Sequence, residues 1–102
     1  MAEIRFSPEA LADLKGIKAY IENELLNAQA ATDSVADIMK HIRQLADFPE
    51  SGAPLSSVIQ LDTNYRYLSC GSYTAFYRYE NGITFIDRVL YGRRDYMRIL
   101  FG

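Results

Sequence analysis

The side chains best suited to binding an anion are two adjacent arginines, Arg93 and Arg94, which follow a predicted strand and a glycine. The planar guanidinium group of arginine forms paired hydrogen bonds with a phosphate or a carboxylate. Adjacent arginines therefore indicate either a solvated sheet surface or contact with an anionic partner. We expect the contact surface to contain Arg88, Tyr91, Arg93 and Arg94.

The charges of the chain are unevenly distributed. Residues 1–50 carry nine acidic and five basic side chains, whereas residues 51–102 carry four acidic side chains and six basic ones. All six of those basic residues are arginines, and the net charge of the whole chain is −2. Only the second half therefore has a net positive charge, and the adjacent arginines lie there.

Cys70 and His41 are the remaining candidates for chemistry, and each is the only residue of its type. A lone cysteine inside a strand is typically a small buried hydrophobic residue. One cysteine and one histidine do not form a zinc site without carboxylate ligands. We expect no metal and no other cofactor. The unpaired thiol favours the cytoplasm, and no apolar run approaches the roughly 20 residues that a membrane span needs.

The first half of the chain predicts a strand and two helices. Alternation predicts a strand over residues 3–6, and Ser7 and Pro8 are typical of a helix start. One apolar stripe defines the first helix: Leu11, Leu14, Ile17, Ile21 and Leu25. Asn27 breaks the pattern, and a second stripe follows until Pro49: Ala31, Val35, Ile38, Ile42 and Leu45. The short connection predicts an antiparallel helical hairpin.

The second half predicts an antiparallel meander that begins at Tyr65. Asn81-Gly82 predicts a two-residue hairpin turn, so Tyr77 should pair with Ile86 and Phe76 with Asp87. This register places Arg88 and Leu90 with Tyr77 on one face and Val89 with Phe76 on the other. The element order is β-α-α-β-β-β with a short C-terminal helix. We expect one α+β domain over residues 1–102, with the hairpin packed on an antiparallel sheet.

This order, with several short motifs, resembles the RelE/ParE superfamily of toxins from bacterial type II toxin–antitoxin systems, also known as plasmid stabilisation proteins. The residues that carry the resemblance span the chain: Ser7 to Ala10, Phe48 to Gly52, Tyr65-Arg66, Tyr73 to Arg78 and Arg88 to Asp95. The resemblance implies a RelE/ParE-like fold, a cytoplasmic toxin that inhibits bacterial growth, and a cognate antitoxin that neutralises it.

The superfamily divides by target. ParE-like members poison DNA gyrase through protein contact, and the Arg88 to Asp95 segment is close to their ending, with Tyr91 in place of histidine. RelE/StbE-type members are ribosome-dependent mRNA interferases, metal-independent endoribonucleases that use basic and acidic side chains. That alternative assigns catalysis to Arg66, Arg94 and Tyr96. A third interpretation is a degenerate, non-toxic module that binds an antitoxin.

The chain departs from the nuclease pattern at several positions. Thr74 replaces the arginine expected in the middle strand, and Leu100 or Phe101 lies where RelE has a tyrosine. No lysine follows Lys40. These departures favour the gyrase interpretation, with a contact surface at Arg88, Tyr91, Arg93 and Arg94, over an interaction with the ribosome and mRNA.

Overall fold

The computed structural model describes residues 3–102, so residues 1 and 2 of the predicted single domain lie outside the described residues. The helices and strands follow each other along the chain as β1 (Glu3–Phe6), α1 (Pro8–Asn23), α2 (Ala28–Arg43), β2 (Ala53–Pro54), β3 (Tyr65–Cys70), β4 (Tyr73–Glu80), β5 (Ile83–Tyr91) and α3 (Tyr96–Phe101). This order confirms the predicted α+β fold and adds the two-residue strand β2.

The start of α1 is fixed from two sides. The Ser7 hydroxyl oxygen accepts a hydrogen bond from the Ala10 backbone N–H at 2.9 Å and donates one to the Asp87 carbonyl oxygen at 2.7 Å. Ser7 therefore caps the helix, as predicted, and also ties that end of the helix to β5. Asn27 caps α2 in the same way, with its side-chain oxygen 2.9 Å from the Ala30 nitrogen.

The buried face of α1 differs in part from the predicted stripe. Ala10, Leu14 and Ile21 are buried, whereas Leu11 and Leu25 are 48% and 59% exposed. Leu25 lies beyond the last helical residue, Asn23, so helical periodicity does not apply to it. Leu11 is on the flank of the helix, because Ala10 takes the position closest to the sheet. Four exposed apolar residues on the hairpin are thus open to a partner: Leu11, Tyr20, Leu25 and Leu26.

The five strands form one mixed sheet in the order β1-β5-β4-β3-β2. The meander is antiparallel, as predicted, and β1 lies next to β5. The two strands β1 and β5 are parallel, so the sheet is mixed and not, as was expected, antiparallel throughout. The long connection through the helices and the meander makes parallel pairing possible. Parallel pairing therefore joins the first strand of the chain to its last.

The predicted register of the β4–β5 hairpin is correct only up to Ile86. Tyr77 pairs with Ile86 as expected, but Phe76 pairs with Arg88 rather than Asp87, because the pairing shifts between Phe76 and Tyr77. One extra residue in β5, Asp87, makes this a β-bulge. Each residue of β5 after the bulge therefore lies on the face of the sheet opposite to the one that the predicted register gave it. Val89 therefore packs on the helical side, and Leu90 packs on the α3 side.

Each face of the sheet carries its own core. The larger core lies under the helical hairpin and combines buried residues from both helices and the sheet: Ala10, Leu14, Ile38, Ile42, Leu45, Cys70, Ala75, Tyr77, Ile86 and Val89. The smaller core, on the other face, consists of Leu55, Phe76 and Leu90. Residues of α3 cover it, together with Tyr65 and Tyr67. Of the helices in residues 3–102, none combines the length and apolarity that crossing a bilayer requires.

Candidate functional site

The adjacent arginines lie in a tight, exposed turn between β5 and α3. Gly92 has a φ of +57°, and Asp95 at the end of the turn has a φ of +53°. The Gly92 N–H donates to the Ser72 carbonyl oxygen at 2.8 Å, and the Arg94 N–H donates to the Tyr91 carbonyl oxygen at 3.1 Å. These bonds connect the turn to the start of β4 and to the end of β5. We call residues 92–95 the arginine turn.

The guanidinium group of Arg93 lies over the ring of Tyr67, with 4.5 Å between the guanidinium carbon and the ring centroid. A cation over an aromatic face is stabilised by about 0.5–1 kcal/mol at an exposed site. The contact favours this position of the guanidinium group, and within residues 3–102 its N–H donors make no hydrogen bond to a carboxylate. Arg93 therefore has a preferred position before any partner binds.

Arg94 is exposed, and within residues 3–102 its side chain makes neither a hydrogen bond nor an ion pair. The nearby Arg98 differs, because its guanidinium group pairs with the Asp95 carboxylate at 3.2 Å. The arginine turn thus presents two cationic side chains that no carboxylate of the described chain neutralises.

Arg88 is occupied inside the molecule. Its Nε and one terminal nitrogen each lie 2.8 Å from a different carboxylate oxygen of Asp13 on α1, and the Val89 N–H donates to the same carboxylate at 2.9 Å. The hydrogen bond to Asp13 raises the pKa of Arg88. The structure therefore places Arg88 in a clamp between α1 and β5, where Asp13 compensates its charge.

Tyr91, the fourth expected contact residue, is 63% exposed at the end of β5. Its ring meets the ring of Tyr73 edge to face, with 5.6 Å between the centroids. Tyr73 packs against the larger core, so both rings lie on the helical side of the sheet. Tyr91 therefore flanks the arginine turn on the side opposite Tyr67.

The structure does not bring the nuclease candidates together. Arg66 donates to the carbonyl oxygens of Glu50 and Gly52, at 3.1 Å and 2.6 Å, and lies on the helical side of the sheet. Tyr96 stacks on Phe76 on the other face, with 5.5 Å between the ring centroids. Thr74, where the nuclease pattern expects an arginine, is buried. Arg66 and Tyr96 are therefore separated by the sheet.

Sequence reasoning missed a polar network on the α3 side of the sheet. Asp87, the extra residue of the bulge, accepts hydrogen bonds from the Tyr65 hydroxyl group at 2.8 Å and from Arg78 Nε at 2.7 Å. Burial, and then the hydrogen bond to Asp87, raise the pKa of Tyr65 to about 12. One signal was available: an acidic residue in the middle of the apolar strand β5, because such a residue needs partners.

Cys70 and His41 lie in ordinary structural environments. Cys70 is buried, as predicted, and burial raises the pKa of its thiol to about 11. His41 Nδ1 lies 2.8 Å from the Asp37 carbonyl oxygen within α2. Among residues 3–102, no three histidine, cysteine or acidic side chains are grouped closely enough to hold a metal ion.

Comparison with known families gives one decisive match. Residues 4–96 match a family model described as the ParE toxin of the type II toxin–antitoxin system parDE. The chain belongs to the ParE toxin family. The matched residues include most of β1 and all of the helical hairpin, the meander and the arginine turn. This confirms the predicted membership of the RelE/ParE superfamily and identifies the chain as a type II toxin.

Two solved structures share features of this ParE chain. One is described as the chromosomal ParDE toxin–antitoxin system from P. aeruginosa, with 22% identity and a TM-score of 0.75 over 89% of this chain and 96% of that one. Its fold agrees with the architecture described above. The other is YafQ from E. coli strain BL21(DE3), with 16% identity and a TM-score of 0.48 over the full length of both chains. No curated protein matches the chain.

Proposed function

We propose that this ParE toxin stops bacterial growth by binding DNA gyrase through its exposed surface and has no catalytic activity of its own. The observation that carries the proposal is the ParE family match over residues 4–96. The exposed, uncompensated charge of the arginine turn makes it the first candidate for the contact, with Tyr91 at its edge and Arg88 supporting it from within.

The positions of the nuclease candidates support this choice over the mRNA interferase. Acid–base catalysis on a ribose needs side chains that converge on one phosphate. Arg66 instead donates to two backbone carbonyl oxygens on the helical side, and Tyr96 is stacked on Phe76 on the opposite side. A functional site built from Arg66, Arg94 and Tyr96 would need the sheet to rearrange.

We also propose that a cognate antitoxin covers the helical hairpin. The exposed apolar residues on this hairpin offer a surface that water solvates poorly, and their coverage by an amphipathic segment would bury them. The family description, which places ParE toxins in toxin–antitoxin systems, supports such a partner. An acidic, partly disordered antitoxin that also reaches the arginine turn would neutralise its charge.

The decisive experiment measures the growth rate, the integrity of the DNA and the integrity of the mRNA after the toxin is induced in bacterial cells. We expect growth arrest with double-strand breaks in DNA and intact mRNA, and inhibited supercoiling when purified toxin is mixed with purified gyrase. The variant Arg93→Gln/Arg94→Gln should weaken both effects, whereas Arg5→Gln should not, because Arg5 lies on the edge strand β1 and pairs with Glu3.

Two other results would contradict the proposal. Cuts in translated mRNA with intact DNA would instead support the mRNA interferase. Normal growth after confirmed expression, together with antitoxin binding, would identify a non-toxic binding module.

A further inference from the structure

The arginine turn has a geometry suited to one kind of anion. We propose that Arg93 and Arg94 bind neighbouring phosphates of the DNA that gyrase holds, so that the toxin contacts protein and nucleic acid in the same complex. This inference rests on the proposed function, because it requires gyrase as the target. It goes further by assigning the arginine turn to the DNA backbone rather than to a gyrase side chain.

The first argument is the preorganised position of the Arg93 guanidinium group. The carbon of this group lies 4.5 Å from the centroid of the Tyr67 ring, and an edge of a guanidinium group carries parallel N–H donors. Such an edge binds two oxygen atoms of a single oxyanion. Because the ring holds the group in place, less side-chain freedom is lost when the anion binds.

The second argument is the spacing of the two charges. Arg93 and Arg94 are adjacent in the chain and both exposed, and their long side chains can reach separate anions that lie close together. One DNA strand carries a phosphate at every nucleotide. A nucleic-acid backbone therefore offers an anion to each arginine at any register, whereas a protein surface must place two carboxylates side by side.

The third argument concerns the rest of the molecule, which limits where such binding occurs. The chain has a net charge of −2, and residues 1–50 carry most of its acidic side chains. Two arginines against this background should bind free DNA only weakly. Contact with gyrase would hold the turn beside the DNA and raise its effective concentration there. The phosphate contact should therefore appear as a gain in gyrase affinity when DNA is present.

The test measures the dissociation constant of fluorescently labelled toxin for gyrase alone and for gyrase bound to a duplex, at 50 and 200 mM KCl. The readout is the ratio of the two constants, DNA-free over DNA-bound. Two neutralised phosphates predict a slope of about −1.8 in log affinity against log salt. The ratio for the wild-type toxin should therefore exceed one at 50 mM KCl. It should fall about 12-fold by 200 mM KCl, or to one if its value at 50 mM is smaller than 12.

Three variants make the test specific. Arg93→Gln/Arg94→Gln should have a ratio near one at both salt concentrations. Arg94→Gln alone, which removes a side chain without a described partner, should lose about half of the salt slope. Arg5→Gln is the matched control: it removes one exposed arginine on β1, next to Phe85 on β5 and about 20 Å along that strand from the turn, and should keep the wild-type ratio. Circular dichroism spectra should confirm that every variant is folded.

The outcomes separate this inference from the proposed function. A wild-type ratio of one, or a ratio that the double variant retains, overturns the phosphate contact while gyrase binding stands. If the double variant loses affinity equally with and without DNA, the arginines bind an acidic protein surface, and the inference is wrong. If no form of the toxin binds gyrase, the proposed function fails, and the phosphate contact fails with it.

Discussion

Single residues hold the long connection between α2 and β3 in place. The Tyr77 hydroxyl group, although Tyr77 is buried in the larger core, donates to the Pro49 carbonyl oxygen and accepts from the Gly52 N–H, both at 2.9 Å. Arg66 donates to the Gly52 carbonyl oxygen. Gly52 is therefore bonded on both sides of its backbone, and the absence of a side chain there is a packing requirement.

Replacing Gly52 should destabilise the fold. A Cβ atom at this position would lie 2.6 Å from the Tyr77 hydroxyl oxygen and 2.7 Å from the Tyr67 carbonyl oxygen. We expect Gly52→Ala to lower the free energy of unfolding by about 1–3 kcal/mol, measured by urea denaturation. The control is Gly16→Ala in the middle of α1, where no atom beyond the adjacent residues and the surrounding helix backbone lies within 4 Å of the added carbon.

The control should change stability in the opposite direction, by about 1 kcal/mol, because alanine favours a helix interior more than glycine does. Equal stability of Gly52→Ala and the wild type would show that the connection relaxes around the added methyl group at no cost.

A second residue-scale prediction concerns Thr84, which is fully buried and whose hydroxyl oxygen has no hydrogen-bond partner in the described residues. Burying an unpaired hydroxyl group costs about 1–3 kcal/mol. Thr84→Val should therefore raise the unfolding free energy by about 1 kcal/mol in urea. Thr84→Ser keeps the hydroxyl group and loses the methyl group, so it should be less stable than the wild type. A destabilised Thr84→Val would mean that the hydroxyl group is paired in solution.

At the scale of elements, the clamp between Asp13 and Arg88 joins α1 to the end of β5, just beyond the point where β1 stops pairing with it. The same carboxylate also satisfies the Val89 N–H next to the bulge. The clamp therefore fixes the part of β5 that leads into the arginine turn.

Breaking the clamp should cost more than breaking an exposed ion pair. The side chains of Arg88 and Asp13 are 27% and 14% exposed, whereas those of Arg98 and Asp95 are 74% and 60% exposed. We expect Asp13→Asn to lower the unfolding free energy by about 2–4 kcal/mol, because Arg88 keeps its charge and loses its partner. Arg98→Gln should change it by less than about 0.5 kcal/mol. Similar values for both variants in urea would contradict a structural role for the clamp.

Local patterns in the sequence predicted the helices and strands, but not the long-range contacts around the β-bulge in β5. The cap at Ser7, the break between the helices at Asn27 and the turn at Asn81-Gly82 depend on a few neighbouring residues, so the sequence alone predicted them. The bulge in β5 depends on partners of Asp87 and Arg88 that lie 9 to 75 residues away, namely Arg78, Tyr65 and Asp13. For the same reason the sequence does not show that Arg66 donates to the carbonyl oxygens of Glu50 and Gly52.

At the scale of the whole molecule, the stability should decrease at high pH, because one thiol and two tyrosine hydroxyl groups have raised pKa values. Burial raises the pKa of Cys70 from 9.0 to about 11 and, together with Asp87, that of Tyr65 from 10.0 to about 12. Burial also raises the pKa of Tyr77. Each group is neutral in the folded state at a pH where the unfolded chain has already lost the proton, so alkali favours unfolding.

The unfolding free energy should therefore be fully retained below about pH 9 and fall as the pH rises. The loss due to Cys70 should extend from pH 9 to about 11, and that due to Tyr65 from pH 10 to about 12. Cys70 alone would contribute a slope of up to about 1.4 kcal/mol per pH unit. Urea denaturation between pH 8 and 10.5 should show a shallower decline for Cys70→Ala than for the wild type. Parallel curves would show that the thiol is accessible to base in the folded protein.

The parallel pairing of β1 with β5 also determines how much of the chain must be translated before the sheet can fold. The first strand has no partner until residues 83–86 have been made, and Ser7 and Asp13 likewise wait for Asp87 and Arg88. Contacts between such distant segments form late and slowly. A nascent chain that has not yet reached β5 thus lacks both the completed sheet and the arginine turn, so residues 83–95 must be translated before the proposed contact surface can assemble.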